Sequence, residues 1–154
     1  MNNANKKIKI CYVSSQGGHF EQIKSLSSKL NQYDFFVVTE KTKFINDADY
    51  HLPSTGSNSL FSLMKVPLVF MTGFFIWLKE KPHVVITTGA LICIPFLFLC
   101  KLFGRKIIYI ETFARIFDAS KTGKYMYKHA DLFIVQWEEL LNVFPDAIFG
   151  GSIY

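Results

Sequence analysis

"IKICYVSSQGGHFEQ", residues 8–22, is the stretch on which the reading of this chain turns. Its first part is an apolar, strand-like run, and from His19 onward it has the composition of a helix. Between the two stand Ser14, Ser15, Gln16, Gly17 and Gly18. Paired glycines let a backbone turn sharply and let a ligand approach main-chain N–H groups closely. A helix beginning just after them directs its positive dipole end at the same place. This is the geometry of a cradle for an anion or a polar ligand.

The same alternation continues along the chain. Strands are expected at 8–14, 33–39, 83–88, 106–111 and 131–136, with helical stretches between most of them, the first being "HFEQIKSLSSKL" (19–30). Runs of Val and Ile without polar alternation predict strands buried on both faces, as in a parallel sheet. Strand–helix–strand repetition predicts an α/β chain: one Rossmann-like open parallel sheet with helices on both faces. The expected domain spans 1–154, with a polar tail at 1–6. In such folds ligands bind beyond the carboxyl ends of the strands. Ser14–His19, Thr87–Ala90 and Glu111–Arg115 all fall there.

Half of the 154 residues are hydrophobic, sixteen are Phe, and the formal net charge is +5. That combination favours a partner both greasy and anionic, such as an acidic membrane surface or a polyprenyl diphosphate; nucleic acid meets only the second condition. Mild basicity without any acidic partner is the plainer alternative. Cys11, Cys93 and Cys100 lie in apolar runs without a CxxC, which points to buried thiols and to neither a disulfide framework nor a zinc site. "MNNANKKIKI" passes from a polar tail straight into a strand, without a signal-peptide core, so a cytoplasmic location is expected.

Two uncharged runs raise the question of a membrane. Val66–Leu78 is bracketed by Lys65 and Lys79; as a helix it is roughly 20 Å long, short of a hydrocarbon core of about 30 Å. Ser62, Lys65, Thr72, Gly73, Lys79 and Glu80 share one narrow face of that helix, and nearly everything else on it is apolar. Such a helix covers a sheet on one side and dips into a bilayer on another, or it is an ordinary core helix. The second run, Val84–Cys100, divides at "TTGA" into a strand and the helix "LICIPFLFLCKLFG", which ends in a basic collar of Lys101, Arg105 and Lys106. Peripheral attachment is the expectation.

Gly17-Gly18 completes neither a GxGxxG fingerprint nor a P-loop, although Glu40 follows the second strand where a ribose-binding acid would stand. His19 is either a base or hydroxyl-binding group, or a residue that caps its helix or packs locally. Glu111 ends the apolar strand "KIIYIE", where a carboxylate faces a cleft or needs a buried partner. Arg115, four residues on, either pairs with it or binds a phosphate. His51, His83 and His129 lack metal-like spacing and are expected to be structural or surface residues. "DASKTGKYMYKHA" (118–130) is expected to be a polar loop or hinge, with Lys121, Lys124 and Lys128 either solvated or meeting diphosphate.

Four segments carry a family resemblance: "SSQGGHFEQI", "KPHVVITTGALICIPF", "KIIYIETFARI" and "FPDAIFGGSIY". With them in this order, the chain resembles the small membrane-associated subunit of two-component glycosyltransferases that extend lipid-linked sugars. That group includes the eukaryotic subunit anchoring the second GlcNAc transfer of N-glycan assembly, and bacterial capsule and exopolysaccharide homologues, which the chain resembles more closely. It is also similar to the N-terminal half of the peptidoglycan lipid-I GlcNAc transferase, a GT-B enzyme. Relative to that enzyme, Ile110 stands where a histidine precedes the glutamate, and Ala90 replaces a glycine.

The resemblance implies an acceptor-side subunit with activity only in complex. Ser14, Ser15, Gly17, Gly18 and His19 would form the first glycine-rich loop, and Thr88 and Gly89 the second. Arg115 would join them in holding the acceptor, and His19 or Glu111 would deprotonate the acceptor hydroxyl, with no metal required. A partner subunit would bind the UDP-sugar, because the chain has no room for a second Rossmann-like domain. The acceptor would be a polyprenyl-diphosphate-linked sugar at the cytoplasmic face of the cell membrane. Two other functions are open on the residues alone: a structural recruiter contributing no active-site group, and a free-standing nucleotide-binding protein.

Overall fold

The computed structural model describes residues 8–43, 46–54 and 59–154, and of 59–63 the backbone alone. The expected polar tail at 1–6 and the side chain of Ser62 lie outside the described residues. The strands form a seven-stranded sheet in the order β3-β2-β1-β4-β5-β6-β7. They are β1 (Lys9–Ser14), β2 (Asp34–Glu40), β3 (Tyr50–Leu52), β4 (Val84–Thr87), β5 (Lys106–Ile110), β6 (Leu132–Val135) and β7 (Ile148–Phe149). Every neighbouring pair is parallel. The predicted open parallel sheet is therefore present. Its order reverses beside β1, between β2 and β4, which puts the switch point at the end of the opening stretch.

Two edge strands were not among the expected five. β3 has three residues and β7 two, too short for an apolar run to announce them; each exists because a longer neighbour offers it a ladder. Burial is deepest at the centre, where Cys11, Tyr12, Val13 and Ser14 are wholly inaccessible. Alternate residues of the strands feed two cores. One joins Cys11, Val13, Val85 and Ile107 to α2 (Ser59–Glu80), α3 (Ile94–Leu102) and α4 (Lys121–Tyr127) through Trp77, Phe96 and Met126. The other joins Ile10, Tyr12, Ile86 and Ile110 to Phe20 and Ile23 of α1 (Gly18–Lys29) and to Ile153. The three cysteines are free and buried.

One expectation is corrected, and the faces of α2 are resolved. Residues 118–130 are no loop or hinge: Ser120 caps a helix there, its hydroxyl accepting from the Gly123 amide at 2.8 Å. An S-x-x-G start satisfies an otherwise orphaned donor, and Met126 anchors the helix in the core. The polar stripe of α2, in turn, does not face water as a whole. Gly73 packs against Pro95 and Phe96 of α3, and Glu80 is held by Lys9 and by the Tyr50 hydroxyl. The outward arc is instead Met64, Leu68, Met71, Phe75 and Leu78, with Met64 75% and Phe75 63% exposed. Lys65 and Lys79 border that arc. Among the described residues no helix is long and apolar enough to cross a membrane.

Candidate functional site

The first glycine loop leaves β1 at Ser14 and enters α1 at Gly18. Gly17 sits at φ 79°, a conformation that favours glycine, and its carbonyl accepts from Phe20 and Glu21 to start the helix. A Cβ at Gly17 or at Gly18 would meet nothing within 4 Å, so the loop borders open space. The second loop leaves β4 through Thr87 and Thr88, both fully buried. The Thr87 hydroxyl accepts from the Gly89 amide at 3.1 Å, and the Thr88 hydroxyl donates to the His19 carbonyl at 3.2 Å. Gly89 lies at φ 112°, and a Cβ there would stand 2.8 Å from the Tyr109 hydroxyl and 3.6 Å from His19 Cε1. His19 thus stands where the two loops meet, and only a glycine leaves room for that approach.

Burial lowers the His19 pKa below its ordinary 6.5, with the Thr88 main chain partly opposing. The ring is therefore neutral at physiological pH, the form able to accept a proton. Two polar atoms at the two ends of the first loop, Ser14 Oγ and His19 Nδ1, are buried without a hydrogen-bond partner. Such atoms are uncommon in folded proteins and concentrate where a ligand or water completes the set. Ser15 is half-buried in the same loop. The residue that follows Gly89, Ala90, carries a strained φ of 71° at a position where the resemblance expects glycine.

Glu111 continues β5 and is fully buried. Its carboxylate accepts from the Thr112 amide at 3.0 Å and from the Ser120 hydroxyl at 3.2 Å, beneath the first turn of α4. Burial raises its pKa, opposed by the Thr112 and Ser120 hydrogen bonds and by the more distant Arg115. Gly123 is the lid on this carboxylate: a Cβ there would fall 1.7 Å from Oε2. Arg115 does not pair with Glu111. It is exposed and bonds Asp118 three residues on, within the loop joining β5 to α4. Tyr109 lies between the two halves of the site, against Gly89 on one side and in contact with Ser120 on the other; burial and the Glu111 charge keep its phenol protonated. The structure brings His19, Thr88 and Gly89 together at the end of the loop that Ser14 begins, and it buries Glu111 beneath the first turn of α4.

Sequence reasoning passed over Gln22 and Gln136. The Gln136 amide donates to the Glu111 carbonyl at 2.9 Å and to Gln22 of α1 at 3.3 Å, and its oxygen accepts from the Ile153 amide at 3.0 Å. One buried side chain therefore joins β5, α1 and the segment after β7. The signal was available: "DLFIVQ" ends an apolar strand on a polar residue just as "KIIYIE" does. The other histidines have local roles, His83 accepting from the Lys9 amide, His51 bonding Asn46 and His129 stacking on Tyr125. Gln16 and Gly17 of the first glycine loop, with Glu21 and Lys24 of α1 and Asp47, line an open cavity of about 550 Å³ rich in groups that bind hydroxyls.

Residues 3–153 match the family model described as oligosaccharide biosynthesis protein Alg14 like. The chain belongs to the Alg14-like family. It is 29% identical to the UDP-N-acetylglucosamine transferase subunit ALG14 of Candida albicans, over 96% of this chain and 80% of that protein. Its identity to the human subunit of that name is 25%, over 96% and 84%. Among solved structures, it superimposes on UDP-N-acetylglucosamine 2-epimerase from Rickettsia bellii with a TM-score of 0.75 at 17% identity. With Acinetobacter baumannii MurG the TM-score is 0.66 at 14% identity. This Alg14-like chain covers 45% and 41% of those two molecules, so the likeness is to one half of each. Its fold is one Rossmann-like half of a GT-B architecture.

Proposed function

We propose that this Alg14-like chain is the acceptor-side subunit of a two-component UDP-sugar-dependent glycosyltransferase of capsule or exopolysaccharide assembly. It binds a polyprenyl-diphosphate-linked sugar at the cytoplasmic face of the membrane, and a donor-binding partner supplies the other wall of the cleft. The observation that carries this reading is His19 at the junction of both glycine loops, above the point where the sheet order reverses. Ser14, Ser15, Gly17, Gly18, Thr88 and Gly89 supply the hydroxyls and amides around the acceptor, and Arg115 on the neighbouring loop adds a cation for its diphosphate. The names of the relatives, each a transferase subunit, support the need for a partner.

In the reaction the acceptor hydroxyl attacks the anomeric carbon of the UDP-sugar held by the partner. The new bond forms between that oxygen and the carbon as the bond to the diphosphate oxygen breaks, and UDP leaves with the electron pair. Neutral His19 takes the proton from the attacking hydroxyl. Glu111, with both oxygens engaged inside the protein, holds the β5 end and the start of α4 in place. The outward arc of α2, flanked by Lys65 and Lys79, lies against the acidic lipid surface.

The test is the purified complex. His19→Ala is expected to lower turnover by about 10²–10⁴ while leaving partner binding intact. Turnover unchanged by that substitution would assign the chain to recruitment alone. The acid limb of kcat/KM is expected below pH 6.5, because burial depresses the imidazole. Full activity from the isolated chain would end the two-component reading, and tight UDP-sugar binding without a partner would favour a free-standing nucleotide-binding protein.

A further inference from the structure

Two hollows adjoin the second glycine loop and share two residues. The first, about 60 Å³, lies between α2 and α3 and is lined by Val66, Val69, Phe70 and Pro95 together with Leu91 and Ile94. The second, about 300 Å³, is lined by Leu91 and Ile94 again, now with Lys121, Thr122 and Tyr125 at the start of α4. Leu91 follows directly on Ala90 and is 54% exposed, so the saddle between the hollows is open and apolar. The line they make begins in the apolar seam between α2 and α3. It ends beside α4, whose cap Ser120 touches Glu111.

The two ends differ in charge. Toward α2 every lining side chain is hydrocarbon. Toward α4 the wall carries Lys121, and Lys124 follows one turn on; both are exposed, and neither pairs with a carboxylate among the described residues. An apolar track closed at one end by unpaired ammonium groups complements an amphiphile with a long hydrocarbon tail and an anionic head. A flat bilayer surface would need neither the saddle at Leu91 nor a cation at only one end.

We propose that these hollows form a single track for the first isoprene units of a polyprenyl diphosphate, with Lys121 and Lys124 at the diphosphate end. The inference rests on the acceptor-side reading above and adds the route by which the lipid leaves the bilayer and presents its head at the loops.

The probes are geranylgeranyl diphosphate, geranylgeraniol and inorganic diphosphate, titrated calorimetrically into the full chain. Geranylgeranyl diphosphate is expected to bind at least about tenfold more tightly than either part alone, since tail burial and head pairing add. Leu91→Asp is expected to weaken it about tenfold and to leave inorganic diphosphate unchanged, whereas Lys121→Glu weakens both diphosphates. Tyr125→Ala, with folding checked by circular dichroism, repeats the tail test should Leu91→Asp disturb α3. Equal affinity for geranylgeranyl and inorganic diphosphate, or no effect of the Leu91 and Tyr125 changes, overturns the track. The two readings separate cleanly. If the binding pattern holds and the complex with its partner transfers no sugar, the transferase reading falls alone. If transfer proceeds and Leu91→Asp leaves the acceptor KM unchanged, the track falls alone.

Discussion

Gly123→Ala tests the architecture beneath the site more sharply than any change within it. Gly123 sits inside α4, and its φ is not in the left-handed region. On helix propensity alone, alanine there would stabilise the protein by up to about 1 kcal/mol. The surroundings reverse that sign. The new methyl would fall 1.7 Å from Glu111 Oε2 and 2.8 Å from both Glu111 Cδ and Ser120 Oγ, so either the carboxylate or the helix must move. Displacing the carboxylate breaks its bond to Ser120, worth about 1.5–3 kcal/mol for a charged acceptor. Displacing α4 instead strains a packed core by about 1–3 kcal/mol. With the propensity gain set against whichever of these two costs is met, the net loss is about 0.5–2 kcal/mol, a fall in Tm of about 1–8 °C for a domain of this length. Thermal unfolding followed by circular dichroism reads it directly. The control is the same substitution in a Glu111→Ala background, where the methyl enters vacated space and the loss should vanish or turn into a gain of up to about 1 kcal/mol. A single Gly123→Ala variant as stable as the parent would refute the placement of Glu111 under α4.

Three further outcomes follow from other contacts. Gln136→Leu leaves the Ile153 amide and the Glu111 carbonyl without their buried partner and is expected to lose about 2–4 kcal/mol in urea unfolding. Ala90→Gly removes a strained φ of 71°, so stability should hold or rise by up to about 1 kcal/mol; a clear loss would show that the strain is not there. The Glu80 pKa is lowered by Lys9 first and Tyr50 second, so this cluster stabilises the fold above the ordinary glutamate value of 4.5 and loses its effect as pH falls through the lowered value. Glu80→Gln should therefore flatten the stability profile in that acid range while lowering stability near neutrality.

Much of the site could be read in advance because its elements are local. Gly17 announces a backbone turn wherever it stands between a strand and a helix, and the two buried threonines at 87 and 88 mark the end of β4. What could not be read is how deep each group lies. Glu111 and His19 both follow apolar strands, so their sequence contexts are alike. One lies beneath Ser120 and Gly123; the other stands at the meeting of two loops. The helix at 121–127 was obscured by its polar composition, since Lys121, Lys124 and Tyr125 face solvent and only Gly123 and Met126 are buried.

The amino-acid sequence alone determined the parallel α/β sheet, the first glycine loop and the greasy character of the α2 and α3 segments. Those properties depend on backbone freedom and side-chain hydrophobicity within a few residues, which near neighbours set. Tertiary structure alone decided that His19 meets Gly89, that Glu111 lies beneath α4, that α2 presents its hydrocarbon outward, and that Gln136 joins three distant segments. Each of these depends on chain segments far apart in sequence competing for the same space and the same hydrogen-bond partners, and that competition is resolved only when the whole sheet has assembled.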